Sequence, residues 1–143
     1  MSKGNTFEND FVKLIFNATA IANIADNAAT SPLTNLYVSL HTADVAEAGD
    51  QTTNEATYTS YARVAVARSG SGWTVTANAV ENASAITFPT ATGGSNTITH
   101  FAVGTDSSGT GKVLYKGALA ASLAVSSGVT PEFAAGDLDI TED

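Results

Sequence analysis

The chain has 143 residues, no cysteine, six basic against fourteen acidic side chains and a net charge of -8. Disulfides, thiolate metal sites and cysteine nucleophiles are therefore excluded, and a surface that neutralises the phosphates of DNA or RNA is disfavoured. Charged residues are 14% of the sequence, against roughly 25% in an ordinary soluble domain. Much of the surface must then be Thr, Ser, Asn, Ala and Gly, which a partner can cover without stripping water from a charge.

The first stretch, "MSKGNTFENDFVKLIFN", lacks the long apolar run of a secretory signal or a membrane span. That predicts a soluble protein made in the cytoplasm. Thr6 can cap a helix over 7–16, with Glu8 and Asp10 favourably placed against the positive end of its dipole. Phe7, Phe11, Leu14 and Ile15 recur at helical spacing and predict its apolar face. A second helical piece is expected in "ATAIANIADNA", where Ile21, Ile24, Ala25 and Ala28 share a face, before Ser31-Pro32 ends it. Residues 1–30 thus read as an N-terminal helical docking segment, and 31–143 as a β-domain forming a single folding unit.

From Leu36 the period changes to two. In "LYVSLH", Leu36, Val38 and Leu40 alternate with Tyr37, Ser39 and His41; "YARVAVAR" sets Val64 and Val66 against Arg63 and Ala65; "GWTVTAN" puts Trp73 and Val75 on one face. Further strands are expected in "AITF", "TITHFAVG", "GKVLYKGAL", "SLAVSSG" and "LDIT". About eight short strands punctuated by Gly, Ser, Thr and Asn predict a mainly β fold, an antiparallel β-sandwich or jelly-roll-like domain. The longest polar connection spans 42–60, and loops of that length commonly make contacts.

His41 at the end of its strand is the first candidate for chemistry, with Ser39 as nucleophile and Asp44 as orienting group. Two same-face residues on one strand stand about 6.6 Å apart, a spacing that does not bring the hydroxyl to the imidazole. His41 is accordingly read as a strand-end residue bonded to the loop that follows. A metal site of His41, His100 and Asp44 would lack a fourth ligand. The run "GTDSSGTGKVLY" imitates a phosphate loop, yet it has Asp106 where Gly is needed and Val113 where Ser or Thr is needed, and a strand follows. It reads as a hairpin connection. Asp44, Glu47, Asp50 and Glu55 do not follow calcium-loop spacing, and the acidic end at Asp137, Asp139, Glu142 and Asp143 reads as solvated. Trp73, Tyr58, Tyr61, Phe88 and Phe101 could stack on a sugar, but alternating strands make the core their default. No catalytic, cofactor-binding or metal-ligating residue is assigned.

The run from "FENDFVKLIFNATAIANIADNA" through "NLYVSLHTADVAEAGD" to "YARVAVARS", with "GWTVT", "AITFPTATGG" and "THFAVG", resembles a family of small structural proteins of tailed bacteriophages. Its members carry labels such as tail fibre or virion protein. One departure is Val45-Ala46 after "HTAD", where the family pattern often has Pro-Gly. The resemblance implies a non-enzymatic virion component and carries no catalytic residue onto this chain. Its shortness, absence of repeats and weakly charged surface favour a capsid decoration protein, expected as a trimer on the major capsid protein or another virion protein. The expected contacts are Phe7, Phe11, Leu14 and Ile15 of the N-terminal segment, with Glu47, Asp50, Glu55 and Tyr58 of the long loop. The alternative is a tail-associated or tail-fibre protein touching the host surface. Neither nucleic acid nor membrane is expected as a partner.

Overall fold

A computed structural model describes residues 5–21 and 32–142. The fold is mainly β, with antiparallel sheets and one short N-terminal helix. In chain order the elements are α1 (Asn5–Asn17), β1 (Asn35–His41), β2 (Val64–Ala67), β3 (Trp73–Thr76), β4 (Ala79–Asn82), β5 (Ile86–Thr87), β6 (Ser95–Gly104), β7 (Val113–Ser126), β8 (Glu132–Phe133) and β9 (Asp139–Thr141). The second helical piece, with Ile24, Ala25 and Ala28, lies outside the described residues, as do 1–4 and Asp143. The chain forms two compact units: Met1–Asn35, Val66–Ile86 and Phe133–Asp143 make the first, Leu36–Ala65 and Thr87–Glu132 the second. Each unit draws on separated stretches of the sequence.

In the first unit β3, β4 and β9 form an antiparallel sheet in that order. Trp73 is paired with Asn82 and Val80 with Ile140. Helix α1 docks here, but not by the face its aromatic spacing predicts. Glu8, Val12 and Phe16, at i, i+4 and i+8, are the buried stripe, and the Phe16 ring meets Trp73 edge-on at 4.9 Å. Phe7 remains 38% exposed, while Phe11, Leu14 and Ile15 are only half-buried. The two largest fully buried side chains of this unit, Phe16 and Trp73, decide the rotation of the helix, because an edge-to-face aromatic pair adds to what area burial provides. No basic residue stands in the last turn; Arg68 instead donates to the carbonyls of Leu14 and Ile15, which have no partner within the helix. Asn82 is buried and saturated: its amide donates to Ser84 O and Ala134 O, and its oxygen accepts from Leu138 N.

Strand β4 was not expected from the sequence. Its hairpin with β3 turns through Ala77 at φ 54°, so the usual glycine or asparagine signal is missing at the position that needs it. Ala77→Gly should raise stability by about 0.5–1 kcal/mol, because a Cβ in the left-handed region costs more than the extra freedom of glycine. A higher urea midpoint would show it.

In the second unit the sheet runs β1, β6, β7, with β2 starting along the free side of β1 before the chain passes into the first unit. Strand β1 is therefore internal. It pairs antiparallel with β6 from Tyr37↔Gly104 to His41↔His100. Val38, Leu40, Phe101 and Val103 fill the core of this unit. The runs expected as two strands, "GKVLYKGAL" and "SLAVSSG", are the one strand β7. Their break survives as a bulge: Ile98 faces Leu123 and His100 faces Ala118, leaving 119–122 opposite Thr99 alone.

Candidate functional site

The side of β1 carrying Tyr37, Ser39 and His41 is roofed by the loop 42–60. Backbone bonds from Thr42 N to Asn54 O and from Ala56 N to Leu40 O lay the loop along the strand. His41 ends β1 and is bonded to the loop that follows, as its place in the sequence predicts, but one expectation is corrected: Ser39 does reach it, Oγ lying 2.8 Å from Nε2. Strand spacing separates the two backbones, but the imidazole extends along the chain far enough to close the gap. The other ring nitrogen, Nδ1, is 2.9 Å from Thr53 O. A carbonyl only accepts, so Nδ1 carries the proton and Nε2 accepts from the serine hydroxyl.

Donor, ring and orienting acceptor resemble the order of a nucleophile relay, yet both side chains are 0% exposed. Their chemistry is turned inward, where it fastens the loop to the strand. Burial pushes the His41 pKa below its usual 6.5, so the ring is folded in its neutral form. The unfolded chain takes up this proton near pH 6.5 and the folded chain does not. Stability contributed by His41 is thus intact above 6.5 and is lost as pH falls from there through the lowered folded value, at up to about 1.4 kcal/mol per pH unit. Melting temperatures measured from about pH 7.5 to about pH 5, across the histidine titration range, should show this loss, and His41→Gln should flatten it.

Gln51 forms a second fastening. Its side chain is fully buried and occupies the room left by two glycines. A Cβ on Gly104 would come within 2.2 Å of its amide carbon, and one on Gly111 within 2.0 Å of Oε1. Oε1 accepts from Asp106 N at 3.0 Å, and the Gln51 backbone donates to Gly111 O.

The third fastening is ionic. Arg63 grips Glu55 with two donors, Nε at 2.6 Å and Nη2 at 2.9 Å, and donates to the carbonyls of Asp106 and Gly109 in the β6–β7 connection. Tyr61 donates to Glu55 while accepting from Leu40 N. Burial is the main reason the Tyr61 phenol is held far above its usual range, and the Glu55 hydrogen bond raises the Arg63 pKa. The expected hairpin connection in "GTDSSGTGK" is confirmed, and it is clasped to the long loop.

Outside this roof lies a groove of about 580 Å³, lined by Asp44, Glu47, His100 and the 113–118 segment of β7. Lys116 crosses it to Asp44 at 2.8 Å and to Glu47 at 3.5 Å. The hydrogen bond between them lowers the Asp44 pKa and raises that of Lys116. His100 Nδ1 is 2.8 Å from the Thr99 hydroxyl. No cluster of three potential metal ligands occurs among the described residues.

The eight expected contact residues fall in different settings. Phe7 and Phe11 lie side by side on α1, ring centroids 6.2 Å apart, with Leu14 and Ile15 half-buried further along. Glu47 projects its side chain into solvent, 98% exposed. Asp50 holds its own turn through Thr52 N and Oγ1, Glu55 is engaged by Arg63, and Tyr58 is buried with its hydroxyl on Pro89 O. The loop therefore offers Glu47 outward and keeps Glu55 and Tyr58 inside.

Arg63 and Gln51 were not legible as site residues. Alternation assigned Arg63 to the face opposite Val64 and Val66, but it precedes β2 and is free to turn inward. The sequence trace of Gln51 is the pair Gly104 and Gly111 flanking a connection that needs close approach. No helix among the described residues is long and apolar enough to cross a membrane. A family model described as Podophage GP4 fiber I protein gp80 matches residues 4–141. No curated protein matches the chain.

Proposed function

The chain belongs to the Podophage GP4 fiber I protein gp80 family, a family of phage virion structural proteins, and on that premise we propose that it is a non-enzymatic, tail-associated component of a phage fibre. The observation that carries this reading is the match over nearly the whole chain, 4–141, to a family described as fibre. That description favours the tail over the capsid-decoration role suggested by a short, weakly charged chain. The inward use of Ser39, His41, Glu55 and Arg63 supports a structural role, since each of these reactive side chains serves to hold a loop. A loop fixed in advance loses little entropy when it is covered by a partner, which suits a protein whose work is contact. Another virion protein would be the resident partner, with Phe7, Phe11 and Glu47 available to it.

Quantitative mass spectrometry of separated heads and tails from a virion carrying this protein tests the placement. Copies confined to the tail fraction are expected. Copies tracking the major capsid protein through the head fraction would return the protein to the capsid exterior.

A further inference from the structure

Strand β7 is the outer strand of its sheet, bonded to β6 on one side and to no strand on the other among the described residues. An edge of fourteen residues is long, and an open edge presents a row of unpaired N–H and C=O groups that an extended chain can satisfy. Natural sheets blunt such edges with lysine, proline, bulges, inward charges or brevity; the bulge of β7 at 119–122 leaves regularly paired strand on both sides of it. Here the segment 117–130 has neither charge nor proline, and the lysine just before it, Lys116, is tied back to Asp44 and Glu47.

What the edge exposes is also unusual. Ala118, Ala120, Ala121, Leu123 and Ala124 are all exposed, and Leu123 is among the few large apolar side chains left open to solvent. Successive exposed residues mean that both faces of the strand are uncovered there, since neighbours point to opposite sides. The bulge adds to this, because 119–122 have no partners of their own on β6.

We propose that the β7 edge is an interface between two copies of this chain, pairing β7 with β7 antiparallel across a two-fold axis. The occupant follows from the chemistry. The row of backbone groups requires a strand, and the small neutral side chains require one that brings no charge with it. A second copy carrying a net charge of -8 is repelled at most approaches, and this stretch is one where no charge meets its like. An antiparallel pairing of one element with itself satisfies both sides equally, as a two-fold interface demands. The proposal does not depend on where in the virion the protein sits.

Mass measured by light scattering on the full chain, from roughly 1 to 100 µM to cover ordinary dimer affinities, is expected to rise to twice the 14.5 kDa of one chain. The double variant Ala120→Lys/Leu123→Lys places charge on exposed positions and should remain at the single-chain mass, with a circular dichroism spectrum and melting curve that show it folded. Ser71→Lys, an exposed change in the other unit, should keep the doubled mass. A wild-type chain that stays at 14.5 kDa throughout, or a folded double variant that still doubles, would overturn the interface; pull-down of a different virion protein by a monomeric wild type would reassign the edge to that protein.

Discussion

Arg63→Ala is expected to destabilise the second unit by about 3–5 kcal/mol, the range for removing one partner of a buried ion pair. The guanidinium is 2% exposed and its partner carboxylate 17%, so Glu55 would be left mostly out of water with its charge uncompensated. The loss does not stop there. Asp106 O and Gly109 O both accept from the same guanidinium, and the β6–β7 connection would lose its clasp to the long loop. Lysine keeps the charge but not the planar fork, so Arg63→Lys should fall between wild type and alanine. Urea denaturation followed by circular dichroism measures all three. A cost under about 1 kcal/mol, the value of an exposed pair, would mean the clasp contributes little.

The second large effect is expected at a glycine. Gly104→Ala puts a methyl group where the Gln51 amide lies, 2.2 Å from its carbon, and Gln51 has no empty space to move into, being fully buried. Overpacking of this kind costs about 1–3 kcal/mol, and expelling the amide orphans Asp106 N at a further 1–3 kcal/mol or so. The sum, about 2–6 kcal/mol, has a distinctive signature. Gln51→Ala removes the atoms that clash, so the double variant Gly104→Ala/Gln51→Ala should be less destabilised than the two single changes added together, by about 1 kcal/mol or more. Simple additivity would show that the two side chains do not compete for one space.

Period-two alternation located β1, β2, β3, β6 and β9 because each has one side facing a core, and burial of one side is what alternation records. It failed at β4, where four residues and an alanine at positive φ leave no turn signal, and it divided β7, where a bulge resembles a break. The helix was legible as a helix but not in its rotation. Phe7 and Phe11 outweigh Val12 in any count of apolar residues, whereas Phe16 and Trp73 settle the packing through a contact between residues far apart in the sequence. The site suffered in the same way. Spacing along β1 described Ser39 and His41 as out of reach because it counts backbone distance and not the length of an imidazole. Glu55, Arg63 and the hairpin carbonyls meet only after the strands have paired.

The division of the first unit among three stretches has a consequence during synthesis. Strand β4 at 79–82 bonds to β9 at 139–141, so the unit cannot close its sheet until about sixty more residues have left the ribosome, a delay of about 3–12 s at usual elongation rates. Throughout that interval Val12, Phe16 and Trp73 belong to an unfinished core. The nascent chain is therefore most prone to sticking to its neighbours in the interval before β9 emerges, and its yield should depend on how quickly that strand is delivered.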